Sequence, residues 1–139
     1  MPLWKIVHTP GLFTETDRTQ LSRDITDRYE KAGLPRFYVV VTFAETDPSN
    51  IYVGGEQRPT VRVEIAHIAR HQDGATGRRR VAQWVNDVLA THLDREGLHW
   101  EFHIDETSEE LWMINGYVPP PGRSEAEKAW RTANRPMDY

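Results

Sequence analysis

The sequence predicts a mixed α/β (α+β) fold laid out as β-α-β, β-α-β, then a short C-terminal strand and helix. Three observations carry this. Alternating apolar and polar residues recur at 3–8, 61–67 and 98–104, the period of a half-buried strand. Two stretches between them place apolar residues at steps of three and four, the stripe of an amphipathic helix. The plan then repeats: the helix-ending glycines Gly33 and Gly97 lie about sixty residues apart, as do the opening strands. The repeat is one of pattern over 2–45 and 60–105, not of letters. Residues 107–139 form an extension, and 1–139 read as one domain.

In the first strand Trp4, Ile6 and His8 share a face, and Leu3, Lys5 and Val7 the other. Thr14 is a predicted N-cap, with Glu15 and Asp17 where the helix macrodipole favours anions. Leu21, Ile25 and Tyr29 make the stripe of a helix over 15–32, ended by Gly33 and Pro35. Phe37 to Phe43 is nearly continuously apolar and β-branched, which predicts a central strand covered on both faces. Ile51-Tyr52-Val53 predicts a short strand ended by Gly54-Gly55. Val61, Val63, Ile65 and His67 predict the next strand, and Thr76 caps a helix carrying Val81, Trp84, Val85, Val88 and Leu89. Trp100, Phe102 and Ile104 alternate with Glu101 and His103. Leu111 to Ile114 predicts a short strand, and Ser124-x-x-Glu127 a capping box opening a helix to about Ala133. Two architectures share this order: a ferredoxin-like split sheet, and two parallel β-α-β units paired into one sheet. Periodicity does not choose between them.

Composition removes several classes of function. A net charge of −4 over 139 residues argues against a nucleic-acid partner. No cysteine is present, so thiolate metal sites, disulfides and thiol nucleophiles are excluded. No apolar run reaches the ~18 residues of a membrane span, and no signal-peptide core precedes the first strand; a soluble, cytoplasmic protein with no membrane partner is expected. His67 and His71 are four apart but on strand and loop, with no third ligand evident, so no metal is expected. Five tryptophans predict a well-packed core, an oligomer interface, or both.

Pro2 follows the initiator methionine and runs straight into the first strand. Methionine is removed efficiently before a small residue such as proline, which leaves a rigid secondary amine at a strand end. Burial or a neighbouring cation lowers an amine's pKa from the usual ~7.7–8.0, toward the range that general-base catalysis uses. If Met1 stays, that nitrogen is a tertiary amide without basicity.

The stretches Met1-Pro2-Leu3-Trp4, Asp24 to Asp27, Phe37 to Phe43, Asn50 to Gly55, Ala66-His67-Ile68-Ala69-Arg70 and Asn115 to Pro120 resemble, in order and spacing, the tautomerase superfamily. Within it the chain resembles the cis-3-chloroacrylic acid dehalogenase branch, and more closely its fungal tautomerase or dehalogenase-like proteins. The resemblance implies a four-stranded sheet with two helices on one face, a homotrimer, no cofactor and an amino-terminal proline at the active site. It also implies a small carboxylate substrate held by arginines. Arg70 matches the first arginine position. The second falls on Asp73, so that Arg78, Arg79 or Arg80 substitutes only if the loop folds back. The branch's helical histidine is replaced by Tyr29, its water-handling tyrosine by Phe102 beside His103, and its glutamate falls near Met113 to Asn115. With the water-activating groups mostly missing, the expected reaction is proton transfer next to a carbonyl.

The expected catalytic residues are therefore Pro2 as base, Arg70 as carboxylate holder and tuner of that base, and Asn115 as an enolate-stabilising amide. Tyr29, His67, His103 and Trp112 are expected to contact substrate. Each has a plainer alternative: a core aromatic for Tyr29 and Trp112, a turn residue for Asn115, structural histidines for the other two. The competing functions are a hydratase or dehalogenase using a protonated Pro2 as acid, and a non-catalytic oligomeric binding protein of the same fold.

Overall fold

The computed structural model describes residues 1–68 and 70–139; Ala69, within the matching stretch Ala66 to Arg70, lies outside the described residues. The chain runs β1 (Pro2–His8), α1 (Glu15–Lys31), β2 (Val40–Glu45), β3 (Thr60–His67), α2 (Gly74–Leu93), β4 (His99–Glu106) and α3 (Glu125–Ala133). The sheet order is β2-β1-β3-β4. β1 is parallel to β2, β3 is parallel to β4, and the two central strands are antiparallel. Two β-α-β units therefore meet edge to edge, and the split-sheet alternative is set aside.

The register explains the burial. Pairs Trp4↔Ile65, Ile6↔Val63 and His8↔Val61 stack on one face, all of them buried. Leu21, Ile25 and Tyr29 of α1 and Val85, Leu89 and Leu93 of α2 cover that face and complete the core. Each such buried aliphatic side chain contributes ~1.5–3 kcal/mol. The opposite, helix-free face mixes Leu3, Val7 and Ala66 with Lys5, Glu64 and Arg62.

Caps and turns follow local chemistry. Thr14 Oγ1 accepts from Asp17 N at 3.1 Å while the Asp17 carboxylate accepts from Thr14 N at 2.8 Å, a closed capping box. Gly33 takes φ +93° just beyond the α1 C-cap Ala32, a left-handed turn that glycine adopts without penalty.

Several expected elements differ. Residues 37–43 are not one central strand: Arg36–Tyr38 forms a 3-10 turn after Pro35, and β2 starts at Val40 on the sheet edge. Phe37 and Tyr38 read as strand because they are aromatic, yet their rings pack on Trp130 and, for Tyr38, Trp112. Residues 51–53 and 111–114 contribute only isolated bridges, Val53↔Glu56 and Ile114↔Tyr117, because each segment is short and folds back at once over Gly54-Gly55 or Asn115-Gly116. α2 begins two residues before Thr76, with Asp73 at its N-cap. In α3 the Ser124 hydroxyl accepts from Glu127 N at 3.1 Å, but the Glu127 carboxylate turns elsewhere. The tail docks on its own chain: Trp130 is fully buried and its indole donates to Met137 O at 2.8 Å.

Candidate active site at the start of β1

Pro2 opens β1, where a residue without an N–H is tolerated in a sheet. It pairs with His67 across the ladder, and Ile68 N donates to Met1 O at 3.1 Å. Pro2 is buried at the edge of a cavity of about 340 Å³, whose walls include Tyr29, His67, Arg70, Trp84 and Arg123. Arg28 and Lys31 of α1 complete four cations in that lining, and no described Asp or Glu lines it. The chain as a whole is acidic, so this concentration of positive charge is local, as a site for an anion requires.

The first wall is an aromatic and imidazole cluster. Trp4 Nε1 donates to Tyr29 Oη at 3.0 Å, and Tyr29 Oη also meets His67 Nε2. Trp84 lies edge-on to Tyr29 with centroids 5.0 Å apart, and near-parallel to the His67 ring at 6.4 Å. Arg28 sits 5.7 Å above the Trp84 ring, a cation–π contact. Burial pushes the Tyr29 phenol above its ordinary pKa, with the Trp4 bond opposing.

The second wall is built by the C-terminal extension. Arg70 Nη2 donates to Glu127 Oε2 at 2.8 Å, and the same oxygen accepts from Arg123 N at 2.6 Å. Glu127 is only 3% exposed. Gly122 fits against Arg70 because it has no side chain; a Cβ there would lie 2.5 Å from Arg70 Nη1. Arg123 follows in left-handed backbone, φ +66°, and lines the cavity.

Electrostatics at the strand end favour neutral bases. Burial first, and the Arg70 charge second, bring the Met1 amine from 8.0 down to about 4, against weaker opposing effects of Glu127 and Glu109. Burial first, then the nearby amino terminus, bring His67 from 6.5 down to about 4.

Of the residues singled out from the sequence, Pro2, Arg70, Tyr29 and His67 share this cavity. Trp112 is buried beyond Arg70, against a smaller hollow of about 180 Å³ shared with Tyr38, Pro119 and Glu127. Among the described residues neither its indole N–H nor the Tyr38 hydroxyl has a hydrogen-bond partner. Asn115 occupies a left-handed turn position, φ +50°, between the bridged Ile114 and Tyr117, outside the lining of the Pro2 cavity. His103 pairs in register with Glu64 on the helix-free face. Its Nδ1 receives Arg62 Nη2 at 2.6 Å, which leaves Nε2 to donate to Asp105 Oδ2 at 3.1 Å. It also borders an adjoining cavity of about 390 Å³ with Phe102, Arg78 and Glu106, which shares His67, Gln72 and Val81 with the Pro2 cavity. Arg78 lies 3.7 Å from Glu106, and His71 Nδ1 is 3.1 Å from that carboxylate. Sequence reasoning missed Arg123, Trp84, Arg28 and Lys31. Only the charge of Arg28 and Lys31, three apart and so neighbours on the surface of α1, could have drawn attention.

A strand-opening proline sharing a cavity with a half-buried arginine, on two paired β-α-β units, is the arrangement of a tautomerase-class protein. The chain belongs to the tautomerase family described as "Putative oxalocrotonate tautomerase enzyme", whose model matches residues 1–135. Among solved structures, native RhCC from Rhodococcus jostii RHA1 is 41% identical, with a TM-score of 0.92 and 99% of each chain covered. A "probable enzyme" from the thermophilic fungus Aspergillus fumigatus is 36% identical, with a TM-score of 0.92, covering 100% of this chain and 98% of that one. N1, a member of the cis-3-chloroacrylic acid dehalogenase family, is 20% identical with a TM-score of 0.69, covering 95% and 97%, and shares the fold. No curated protein sequence matches the chain. Among the described residues no helix is long and apolar enough to cross a membrane.

Proposed function

We propose that the protein is a cofactor-free tautomerase of a small 2-oxo or 2-hydroxy-dienoate carboxylate, with Pro2 as the base once Met1 has been removed. The observation that carries this is Pro2 buried in a four-cation cavity whose neighbouring amine is held far below its ordinary basicity. The same burial and the same Arg70 charge act one residue on, at the proline nitrogen that loss of Met1 frees. Neutral at pH 7, that nitrogen takes a proton from the carbon α to the carbonyl. The C–H electron pair becomes the enolate, and the proton returns to another carbon or to oxygen. Arg70 and Arg123 hold the carboxylate with charge-assisted hydrogen bonds. The Tyr29 and Trp84 wall of the cavity shields the enolate from water.

The alternative in which a protonated Pro2 acts as acid in hydration or dehalogenation asks for the opposite electrostatics. Halide release from cis-3-chloroacrylate is its test, and little or none is expected.

Assembly as a homotrimer belongs to the same proposal. The helix-free sheet face and the exposed side chains of Leu111, Met113 and Val118 offer apolar surface to neighbouring copies. Asn115 and His103, outside the Pro2 cavity of their own chain, reach such a cavity only from a neighbour. Sedimentation at micromolar concentration reads the assembly state.

Turnover of phenylenolpyruvate followed by ultraviolet absorbance tests the chemistry, together with the intact mass of the purified chain. Activity lost in Pro2→Ala and a mass lacking Met1 are expected. A fully active chain that retains Met1, or an undiminished Pro2→Ala, overturns the reading.

A further inference from the structure

We infer that Trp4 and Tyr29 lock His67 as the neutral Nδ1–H tautomer, and that this N–H is the donor that meets the substrate's enolate oxygen. The inference rests on the tautomerase reading for its second half and on geometry alone for its first.

The direction of the hydrogen-bond chain follows from which groups can donate. An indole N–H only donates, so Tyr29 Oη must accept from Trp4 at 3.0 Å. The phenolic hydrogen then has one acceptor within reach, His67 Nε2. Were Nε2 protonated instead, the Tyr29 hydrogen would be left buried without a partner, since Tyr29 is 5% exposed, and a buried unsatisfied donor is costly. Nε2 therefore accepts, and a neutral imidazole must carry its proton on Nδ1. Stacking on Trp84, at 19° between planes, fixes the ring's rotation as well.

The surroundings keep the ring uncharged. The groups that act on it are the chain amine on β1, Tyr29 on α1, His71 after β3 and Glu106 at the end of β4, while α2 presents the uncharged Trp84. Burial outweighs the one carboxylate, and His67 stays neutral through the physiological range.

Among the described residues Nδ1 has no hydrogen-bond partner, and it is not one of the sealed-off buried polar atoms. His67 borders the Pro2 cavity and is the direct ladder partner of Pro2. An N–H in that place, fixed before substrate arrives, is what an oxyanion-stabilising donor needs. Because it is already neutral, it donates without competing with Pro2 for the abstracted proton.

The test separates the two halves. Long-range ¹H–¹⁵N correlation on ¹⁵N-histidine-labelled protein reads the tautomer directly. An Nδ1–H pattern unchanged from pH 8 to 5 is expected, and Tyr29→Phe should turn it into a tautomer mixture. In phenylenolpyruvate turnover, His67→Leu should lower kcat ~10²-fold with KM little changed. His67→Gln, which keeps an N–H donor, should recover part of that loss. An Nε2–H pattern in the wild-type chain, titration above pH 6, or full kcat in His67→Leu overturns the inference. Its failure differs from that of the parent reading: an Nε2–H ring in a chain inactivated by Pro2→Ala sinks this inference alone. If Pro2→Ala turns over like the wild type and His67→Leu changes nothing, both fall.

Discussion

Replacing Gly122 by alanine puts a Cβ 2.5 Å from Arg70 Nη1 and 3.2 Å from Cζ, where contact between heavy atoms requires ~3.5 Å. The guanidinium must retreat by about 1 Å. It has little freedom to do so, because Nη2 is bonded to Glu127 at 2.8 Å and the two side chains are 21% and 3% exposed. Stretching that bond past ~3.5 Å removes it as a hydrogen bond. A hydrogen bond to a charged group is worth ~1.5–3 kcal/mol. Gly122 is not in left-handed backbone, so alanine returns ~0.4–1 kcal/mol by restricting the unfolded chain. The net loss is ~1–2 kcal/mol of folding stability, read as a lower urea midpoint at unchanged slope. The displaced guanidinium also fits the substrate carboxylate less well, and about tenfold in KM corresponds to ~1.4 kcal/mol. A midpoint that rises or stays fixed, with KM unchanged, would refute the idea that Gly122 seats Arg70.

Acid should weaken the fold through His67. Its folded pKa of about 4 lies below the ordinary 6.5, so the unfolded chain binds more protons in that window and stability falls as pH drops from 6.5 to 4, by up to ~3 kcal/mol; His67→Gln should flatten the urea midpoint across the same range. Thr14→Ala opens the capping box of α1 and should cost ~1 kcal/mol in urea unfolding, without effect on KM. Tyr38→Phe removes a buried hydroxyl that has no partner among the described residues, so thermal unfolding should be unchanged or shifted upward.

The sheet and its two covering helices were legible because periodicity records burial. Trp4, Ile6 and His8 alternate, and Leu21, Ile25 and Tyr29 recur at helical steps; these are the residues that meet in the core. Pattern failed where local chemistry overrides it. Phe37 and Tyr38 have strand-like side chains, but Pro35 turns the backbone and the aromatic tail draws their rings away. The lining of the candidate cavity was legible on the side formed by β1, α1 and β3. Arg70 and Tyr29 were placed by resemblance and His67 by its strand position. The other side was not, because Arg123 reaches the cavity from a turn after three prolines and a glycine. No period links it to Pro2, some 120 residues away. Glu127 was read as a cap partner because Ser124 precedes it by three; its carboxylate instead bonds Arg70 and the Arg123 amide.

The antiparallel pairing of β1 and β3 gives the sheet an approximate dyad, and the dyad has two ends. His67 lies opposite Pro2 at one, and His8 lies opposite Val61 at the other, both imidazoles buried. The second seat is plugged. Thr60 N donates to Thr9 Oγ1 at 3.0 Å, and the His8 ring rests Nδ1 on the Thr9 carbonyl at 2.9 Å. Continuous backbone runs through that place, so no amine can stand there. Under the proposed chemistry an amine base can stand only at the end of the dyad where β1 begins.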